Sequence, residues 1–217
     1  QKSNNFSNIR WYMMDSVRVH VITYNEEKIL RFFIKHYRRN FPDCKITVHD
    51  NYSTDTTLNI AIENSCDIEM FSTNNQMDDG YLQELKNNCW KNQTEKWAIV
   101  VDADELITAK QSDLTNEFNV WKFQGVQMIG TGENLEDIVY GIYDNIYSKA
   151  VLFNKEQVKE MNYSVGAHIC NPIGENIKFN DKHAALLHYK WIDLECVLEK
   201  HRHYHERLCQ RNIENGW

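Results

Sequence analysis

The chain has 217 residues, of which 25% are charged, and a formal net charge of −7. A chain of this length can bury one substantial core, so we expect a single domain. The acidic balance, without a Lys/Arg cluster interleaved with aromatic residues, argues against nucleic acid as a partner. No stretch approaches the roughly 20 apolar residues that a membrane-spanning helix needs, so we expect no transmembrane segment.

The first half of the chain alternates predicted strands and helices. Residues 17–23 are rich in β-branched side chains and predict the first strand, which ends at the polar turn Tyr24-Asn25-Glu26. An apolar stripe with helical spacing begins at Leu30, and Pro42 ends that helix. Strands predicted at residues 44–49 and 68–71 each precede a further helix. This alternation predicts right-handed crossovers and a largely parallel sheet.

The apolar run that begins at Trp97 ends in the acidic residues Asp102, Asp104 and Glu105. Such a run predicts a strand buried on both faces, so the acids should emerge at the edge where open α/β sheets bind ligands. Because side chains alternate along a strand, Asp102 and Asp104 point the same way while Ala103 packs behind them. Two carboxylates so placed suit one hard cation, Mg²⁺ or Mn²⁺, that bridges a diphosphate.

Two common phosphate-binding motifs are absent. No Gly-x-Gly-x-x-Gly follows the first strand, and no Gly-x-x-x-x-Gly-Lys-Ser/Thr occurs in the chain. The dinucleotide-binding and P-loop solutions are therefore excluded, and phosphate would have to be held by metal and side chains.

The second half has a different pattern. Strands or extended pieces are predicted at residues 125–129, 138–142, 149–153 and 185–189, separated by turns at Gly130, Gly132, Gly166 and Gly174. This half is expected to be mixed and partly antiparallel. Asp193 is predicted to cap a final helix with Leu194, Val197, Leu198, His201 and Leu208 on one face.

Three motifs in this order resemble the GT-A glycosyltransferases, and most closely the family-two-like group. They are Tyr24-Asn25-Glu26 after the first strand, the loop of residues 50–57 after the second, and Asp102-Ala103-Asp104-Glu105 after the fourth. The resemblance covers roughly residues 17–190. It implies an α/β fold with a mostly parallel, Rossmann-like nucleotide-binding sheet (17–105), a mixed α+β acceptor half (106–192) and a C-terminal helix (193–217). Residues 1–16 form an N-terminal extension outside this domain.

The resemblance also implies an activity. It predicts a metal-dependent enzyme that moves a sugar from a nucleotide-diphospho-sugar to an acceptor hydroxyl, on a glycan or another molecule. A UDP-sugar is favoured because uracil is the commonest base in such enzymes, and the family-two-like pattern favours inversion. Alternatives are a sugar-nucleotide pyrophosphorylase, whose glycine-rich first loop is absent here, and a domain that binds sugar nucleotide or glycan without turnover.

Site residues follow from the resemblance, position by position. Those expected at the nucleoside are Thr23, Tyr24, Asn25, Glu26 and Asp50, with Asp50 accepting a hydrogen bond from the base. Asp102 and Ala103 would lie near the ribose and metal, and Asp104 would ligate the metal directly. Turn and cap chemistry is the competing interpretation for Asp50, Ser53 and Asp55.

Late histidines and two lysines are further candidates. His188 ends an apolar strand, as a metal or diphosphate contact would, although a core histidine fits the same pattern. His168, two residues after Gly166, would contact donor phosphate or acceptor, or be structural. Lys86 and Lys149 are candidate diphosphate partners, against the default of a solvated lysine. His201 and His205 have a metal-compatible spacing, but packing is the favoured interpretation.

An inverting enzyme also needs a general base, usually Asp or Glu. The acids in predicted loops are Asp78, Asp79, Glu133, Glu136, Asp137, Asp144 and Glu175. No spacing singles one out, and we prefer Asp137 and Asp144.

Cysteine usage and a glycosylation sequon bear on the compartment. The six cysteines include no Cys-x-x-Cys pair, which predicts reduced, buried thiols. The sequon Asn51-Tyr52-Ser53 lies inside the predicted nucleotide loop, where a glycan would block the site. Both features favour a soluble, cytoplasmic protein, and residues 1–16 lack the charged-then-apolar order of a signal peptide.

Overall fold

The computed structural model describes residues 16–131, 134–180 and 184–216. Its first half contains four strands joined by three helices. The strands are β1 (Val17–Thr23), β2 (Lys45–Asp50), β3 (Asp67–Met70) and β4 (Trp97–Asp102). The helices are α1 (Leu30–Asn40), α2 (Thr57–Glu63) and α3 (Asp79–Asn88). The four strands are parallel in the order β3-β2-β1-β4, which confirms the predicted sheet.

Alternation along the strands gives this sheet two differently covered faces. Val19 and Val21 of β1 pack in one cluster with Phe33 and Tyr37 of α1, members of the predicted stripe. On the opposite face, Trp90, Ala98 and Val100 form a second cluster with residues of the second half. The sheet is therefore buried on both sides, as its near-continuous apolar strands predicted.

The second half continues the same sheet with antiparallel and parallel strands. These are β5 (Glu105–Ile107), β6 (Val120–Ile129), β7 (Gly141–Tyr143), β8 (Lys149–Asn154), β11 (Phe179–Asn180) and β12 (Ala185–Trp191). The strands β9 (Val158–Glu160) and β10 (Ile173–Gly174) form a separate two-stranded antiparallel sheet. The order beyond β4 is β8-β6-β12-β5, in which β8 is antiparallel to both neighbours and β12 is parallel to β6. The predicted mixed character of this half is confirmed.

Strand β6 begins five residues before the predicted start, so Gly125 lies inside one continuous strand. A Cβ at Gly125 would lie 2.6 Å from the backbone oxygen of Asp144 and from the carbonyl carbon of Tyr147. The glycine permits this close approach and interrupts the apolar pattern without ending the strand. The predicted strand at 138–142 is reduced to β7, because residues 135–137 form a 3₁₀ turn. Strand β5 has only three residues and was not predicted.

The C-terminal region forms two helices where one was predicted. Asp193 caps α4 (Leu194–Arg207) by accepting a hydrogen bond from Glu195 N, as expected. Cys209 begins α5 (Gln210–Asn215), and the break at Leu208 coincides with a bridge to Met77. His201 was expected in a core stripe but is exposed and lies against the Trp191 ring.

Two remaining features concern the whole chain. The six cysteines all lie in the described part of the chain and are free thiols, of which Cys44 and Cys209 are buried. No helix among the described residues has the length and apolar character needed to cross a membrane. Residues 1–15, Gly132 and the candidate base Glu133 lie outside the described residues.

Candidate active site

The candidate site lies where the direction of chain winding reverses. Strands β2 and β4 flank β1, with Ile22 paired to Asp102 and Thr23 paired to Asp50, so the carboxyl ends of the three strands are level. Open α/β sheets bind ligands at such a crevice. A cavity opens there. Its wall includes the predicted residues Thr23, Tyr24, Glu26, Lys86, Asp102, Ala103, Asp104, Lys149, His168 and His188.

Asp102 faces two lysines inside this cavity. Its Oδ2 accepts hydrogen bonds from Lys86 Nζ at 2.8 Å and Lys149 Nζ at 3.4 Å. Burial opposes ionisation, but the two ammonium groups outweigh it and hold the pKa of Asp102 well below its ordinary value. Lys149 also contacts Oε1 of the buried Glu105 at 2.5 Å. The two lysines predicted as diphosphate partners are thus brought to the acidic motif.

Asp104 contacts His188 and a lysine from α4. Its Oδ2 lies 3.2 Å from Lys200 Nζ, and its Oδ1 lies 3.7 Å from His188 Nε2. Lys200 Nζ also bonds Oε1 of Glu26 at 3.0 Å. Burial works against ionisation of Asp104, but Lys200 and His188 lower its pKa. Glu26 differs, because burial raises its pKa to about 7 despite Lys200.

The donor set fits a divalent cation. His188 Nδ1 lies 2.8 Å from Gln127 Oε1, so this ring nitrogen donates and Nε2 presents a lone pair toward Asp104. The 3.7 Å between Nε2 and Oδ1 is longer than a hydrogen bond and leaves these two atoms available to a common cation. Carboxylate oxygen and imidazole nitrogen suit Mn²⁺ well and Mg²⁺ adequately. Asp104 and His188 are therefore chemically consistent with the predicted metal site, whereas Asp102 contacts Lys86 and Lys149 in the same cavity.

His168 lines the cavity with a buried, unpartnered Nδ1. Burial and the nearby Lys149 lower its pKa, so the imidazole is neutral at pH 7. Gly166 has φ +73° and would place a Cβ 2.7 Å from His168 Cδ2. The glycine thus makes room for His168 itself.

Asn25 and Asp50 hold the loops behind the cavity. Asn25, with φ 55°, accepts a hydrogen bond from Thr54 N and lines an adjoining cavity. Asp50 is fully buried, where its carboxylate accepts from Thr23 Oγ1 and from the backbone and hydroxyl of Ser53. The structure therefore places Asp50 behind the wall and not at the predicted position against a base.

Asn51 and Thr73 join the tip of β2 to the segment after β3. Asn51 Nδ2 donates to Thr73 Oγ1 at 2.8 Å, and Thr73 N donates to Asn51 Oδ1 at 3.1 Å. Asn51 is 7% exposed. This pair fixes one side of the cavity beside Phe71.

The two preferred base candidates do not reach the cavity. Asp137 is exposed in a 3₁₀ turn, and Asp144 caps the next turn by accepting from Ile146 N at 3.0 Å. Asp79, another candidate, does line the cavity, and Asn212 Nδ2 donates to it at 2.8 Å. Burial raises the pKa of Asp79.

Three cavity residues on α4 were not predicted. Lys200 contacts Asp104 and Glu26, Tyr204 lines the wall, and the Arg207 guanidinium lies 3.3 Å from the Tyr24 ring centroid. Their spacing of i, i+4 and i+7 puts them on one helix face, a signal that was present in the sequence. The sequence analysis used only the apolar stripe on another face of the same helix.

Comparison with solved structures gives distant neighbours. A mannosyltransferase from Pyrobaculum calidifontis, in complex with GDP-Man and Mn²⁺, is 17% identical over 49% of this chain and 34% of its own, with a TM-score of 0.37. TarS of S. aureus is 15% identical over 80% and 36%, with a TM-score of 0.46. Glucosyl-3-phosphoglycerate synthase from Mycobacterium tuberculosis, with Mn²⁺ and UDP among its ligands, is 15% identical over 52% and 44%, with a TM-score of 0.37. The chain spans less than half the length of each.

Comparison with families gives a direct assignment. No curated protein matches the sequence. Residues 18–166, however, match the sequence model of the family described as Glycosyl transferase family 2. The match includes all three motifs and most of the cavity wall, and the sheet has the predicted GT-A architecture. The chain belongs to glycosyl transferase family 2.

Proposed function

We propose that the protein transfers a sugar, with inversion, from a nucleotide-diphospho-sugar to an acceptor hydroxyl, with Mn²⁺ or Mg²⁺ as cofactor. The observation that carries the proposal is one cavity at the carboxyl ends of β1 and β4, where Asp104 approaches His188 and Asp102 contacts Lys86 and Lys149. A UDP-sugar is the proposed donor, with Thr23, Tyr24 and Glu26 at the nucleoside.

The metal would be held by Asp104, Asp102 and His188, and when bound it supplies Lewis-acid stabilisation of the leaving diphosphate. Lys86 and Lys149 carry fixed positive charge into the same space and accommodate the phosphate oxygens. Tyr204 and Arg207 line the same cavity from α4.

His168 is our proposed base for the acceptor. Its ring lines the cavity, and its lowered pKa favours the neutral imidazole that can accept the hydroxyl proton. Asp137 and Asp144 are not proposed, because neither lines the cavity. His168→Gln should lower kcat by about 10²- to 10⁴-fold and remove the acidic limb of the pH–rate profile. An unchanged profile would assign the base elsewhere, with Asp79 next.

The activity is tested by following nucleotide release from a panel of sugar nucleotides with Mn²⁺. Release of a nucleoside diphosphate that depends on added acceptor supports transfer. Synthesis that depends on a nucleoside triphosphate and sugar phosphate would indicate a pyrophosphorylase, and binding without release would indicate a non-catalytic domain.

Asp104→Asn tests the metal site directly. Removing one ligand charge should weaken Mn²⁺-dependent UDP binding by more than the roughly 10- to 100-fold that loss of an outer partner costs. Calorimetry measures the affinity, and circular dichroism checks the fold. The exposed Asp43→Asn is the matched control. Unaltered metal-dependent binding in Asp104→Asn would remove this residue from the site.

A further inference from the structure

Two buried histidines face each other on the sheet face opposite α1. His20 of β1 and His49 of β2 are 2% and 1% exposed, and His20 Nδ1 lies 2.9 Å from His49 Nε2. The Sγ of Cys89, at the end of α3, joins them, and one ligand atom from each residue lies within 4.8 Å of the others. None of the three residues lines the donor cavity.

The outer nitrogen of His20 is fixed as a hydrogen-bond donor. Gln93 Nε2 donates to the carbonyls of Glu95 and Trp97, at 2.8 and 3.0 Å, which makes its Oε1 the acceptor. His20 Nε2 lies 2.8 Å from that oxygen, so it carries the proton. In a neutral imidazole the other nitrogen, Nδ1, then presents a lone pair toward His49.

The outer nitrogen of His49 is in a matching position. Its Nδ1 lies 3.3 Å from Glu69 Oε2, and an ionised carboxylate only accepts. In the metal-free protein the proton of a neutral His49 can lie on Nε2 and be donated to His20 Nδ1, which makes the 2.9 Å contact an ordinary hydrogen bond. In the other tautomer the proton lies on Nδ1 beside Glu69 Oε2, and both inner nitrogens are then free to bind a cation.

The partners of the two outer nitrogens are an amide oxygen for His20 and a carboxylate oxygen for His49. Metal-ligating histidines typically have their outer N–H groups held by such oxygens.

We propose that His20, His49 and Cys89 form a binding site for a zinc-type divalent cation, with two imidazole nitrogens and one thiolate as ligands. Nitrogen and sulfur together select Zn²⁺ over the hard cations of the donor cavity. Because the ligand is the thiolate, metal binding would release one proton from the Cys89 sulfur to solvent. Three protein ligands leave a fourth position for water.

Metal binding would require a local rearrangement of the three ligand atoms, which lie within 4.8 Å of one another. Tetrahedral ligands of Zn²⁺ stand about 3.3 to 3.6 Å apart, given bond lengths of about 2.0 Å to nitrogen and 2.3 Å to sulfur. The two ring nitrogens must separate by about 0.4 Å from their present 2.9 Å. Bound metal would tie β1, β2 and the end of α3 together. Cys89 follows Lys86 by one helical turn, so the site would also fix the helix end that carries Lys86 to Asp102.

The test uses the full chain, stripped with a chelator and titrated with Co²⁺, then with Zn²⁺. We expect one equivalent of Co²⁺ to produce a thiolate-to-cobalt charge-transfer band that Zn²⁺ abolishes. The proposed donor-cavity ligands include no sulfur, so metal bound there gives no such band. Cys89→Ala should lose the band, and the matched control Cys66→Ala should keep it.

A second variant separates metal binding from folding. Glu69 is largely exposed, so Glu69→Gln should fold normally while weakening Zn²⁺ affinity about 10- to 100-fold through the loss of its hold on His49. Absence of a thiolate band in the wild type, its survival in Cys89→Ala, or unchanged affinity in Glu69→Gln would each overturn the proposal. The contact between His20 and His49 would then be a hydrogen bond between two neutral imidazoles. None of these outcomes bears on the glycosyltransferase activity.

Discussion

Lys200 supplies one positive charge to two buried carboxylates, those of Asp104 and Glu26. Lysine and acid are both largely removed from water, so loss of one partner leaves an uncompensated charge. Glu26 can respond by taking a proton, since its pKa is already about 7. Lys200 thus couples the position of α4 to the charge state of Glu26, in the turn after β1.

We predict that Lys200→Met lowers the free energy of unfolding by about 2 kcal/mol at pH 8 and by less at pH 5. Glu26 has a folded pKa above its ordinary 4.5, so stability from its proton is full below pH 4.5 and is lost as pH rises through about 7. Without Lys200 that pKa rises further. Urea denaturation at the two pH values measures the difference.

The control is Lys91→Met. Lys91 pairs with Glu160 at the surface, and its loss should cost under about 1 kcal/mol at both pH values. An equal loss at pH 5 and pH 8 in Lys200→Met would contradict the assigned coupling to Glu26.

Local sequence patterns predicted the acidic residues of the site, but they could not predict contacts between residues far apart in the chain. Asp102 and Asp104 could be predicted because the strand and its acidic end lie within eight residues, from Trp97 to Asp104. Lys200 approaches Asp104 from 96 residues away, a contact that depends on how β12 and α4 return to the cavity. Asp50 was assigned to the nucleoside from the family resemblance, which could not show that Thr23 and Ser53 donate hydrogen bonds to its carboxylate.

At the scale of elements, a charged cluster joins the amino ends of three neighbouring strands. Arg18 of β1 bonds Glu95 Oε2 at 2.8 Å and Asp67 Oδ2 at 2.6 Å, and Lys45 of β2 bonds Glu95 Oε1 at 2.8 Å. Burial opposes the charge on Glu95, but its bonds to Arg18 and Lys45 lower the pKa to about 2. The cluster fixes the register of strands that no hairpin connects.

We predict that Glu95→Gln lowers the free energy of unfolding by about 2 kcal/mol at pH 7. Because the folded pKa is depressed, this stabilisation is present above pH 4.5 and is lost as pH falls toward 2. Urea denaturation at pH 7 and pH 3 should therefore show a smaller difference at pH 3. Glu84→Gln on the exposed face of α3 is the control, and a constant difference across pH would contradict the assigned charge pairing.

Strand prediction was most successful where apolar composition and length agreed. The strand predicted at residues 17–23 is observed with the same bounds, because most of these seven residues are β-branched. Strand β5 was missed because three residues carry too little periodicity, although Glu105 pairs with His188 and so helps to set the site. Gly125 misled the prediction because a close backbone approach and a strand end look alike in sequence.

At the scale of the whole molecule, the C-terminal helices fold back on the first half. Met77 N donates to Arg207 O at 2.6 Å, and Cys209 N donates to Met77 O at 3.2 Å. The buried Asn212 bonds both the backbone N–H and the carboxylate of Asp79, at 3.1 and 2.8 Å. The cavity is therefore closed by residues from both ends of the described chain.

We predict that Asn212→Ala loosens this closure, because it leaves the Asp79 N–H and carboxylate without their partner at a cost of about 1 to 3 kcal/mol. Hydrogen exchange should become faster in residues 194–215 and remain unchanged in β1 and β4. Asn215→Ala, in the exposed last turn of α5, is the control. Equal protection in the two variants would show that α5 is held by other contacts.

Asn51 belongs to a glycosylation sequon, yet the packing around its amide leaves no room for a carbohydrate chain. Attachment and native folding are mutually exclusive at this position. A chain that folds before it meets a glycosylating enzyme stays bare, and a chain modified first cannot bring Asn51 against Thr73. The native fold therefore requires Asn51 to stay unmodified.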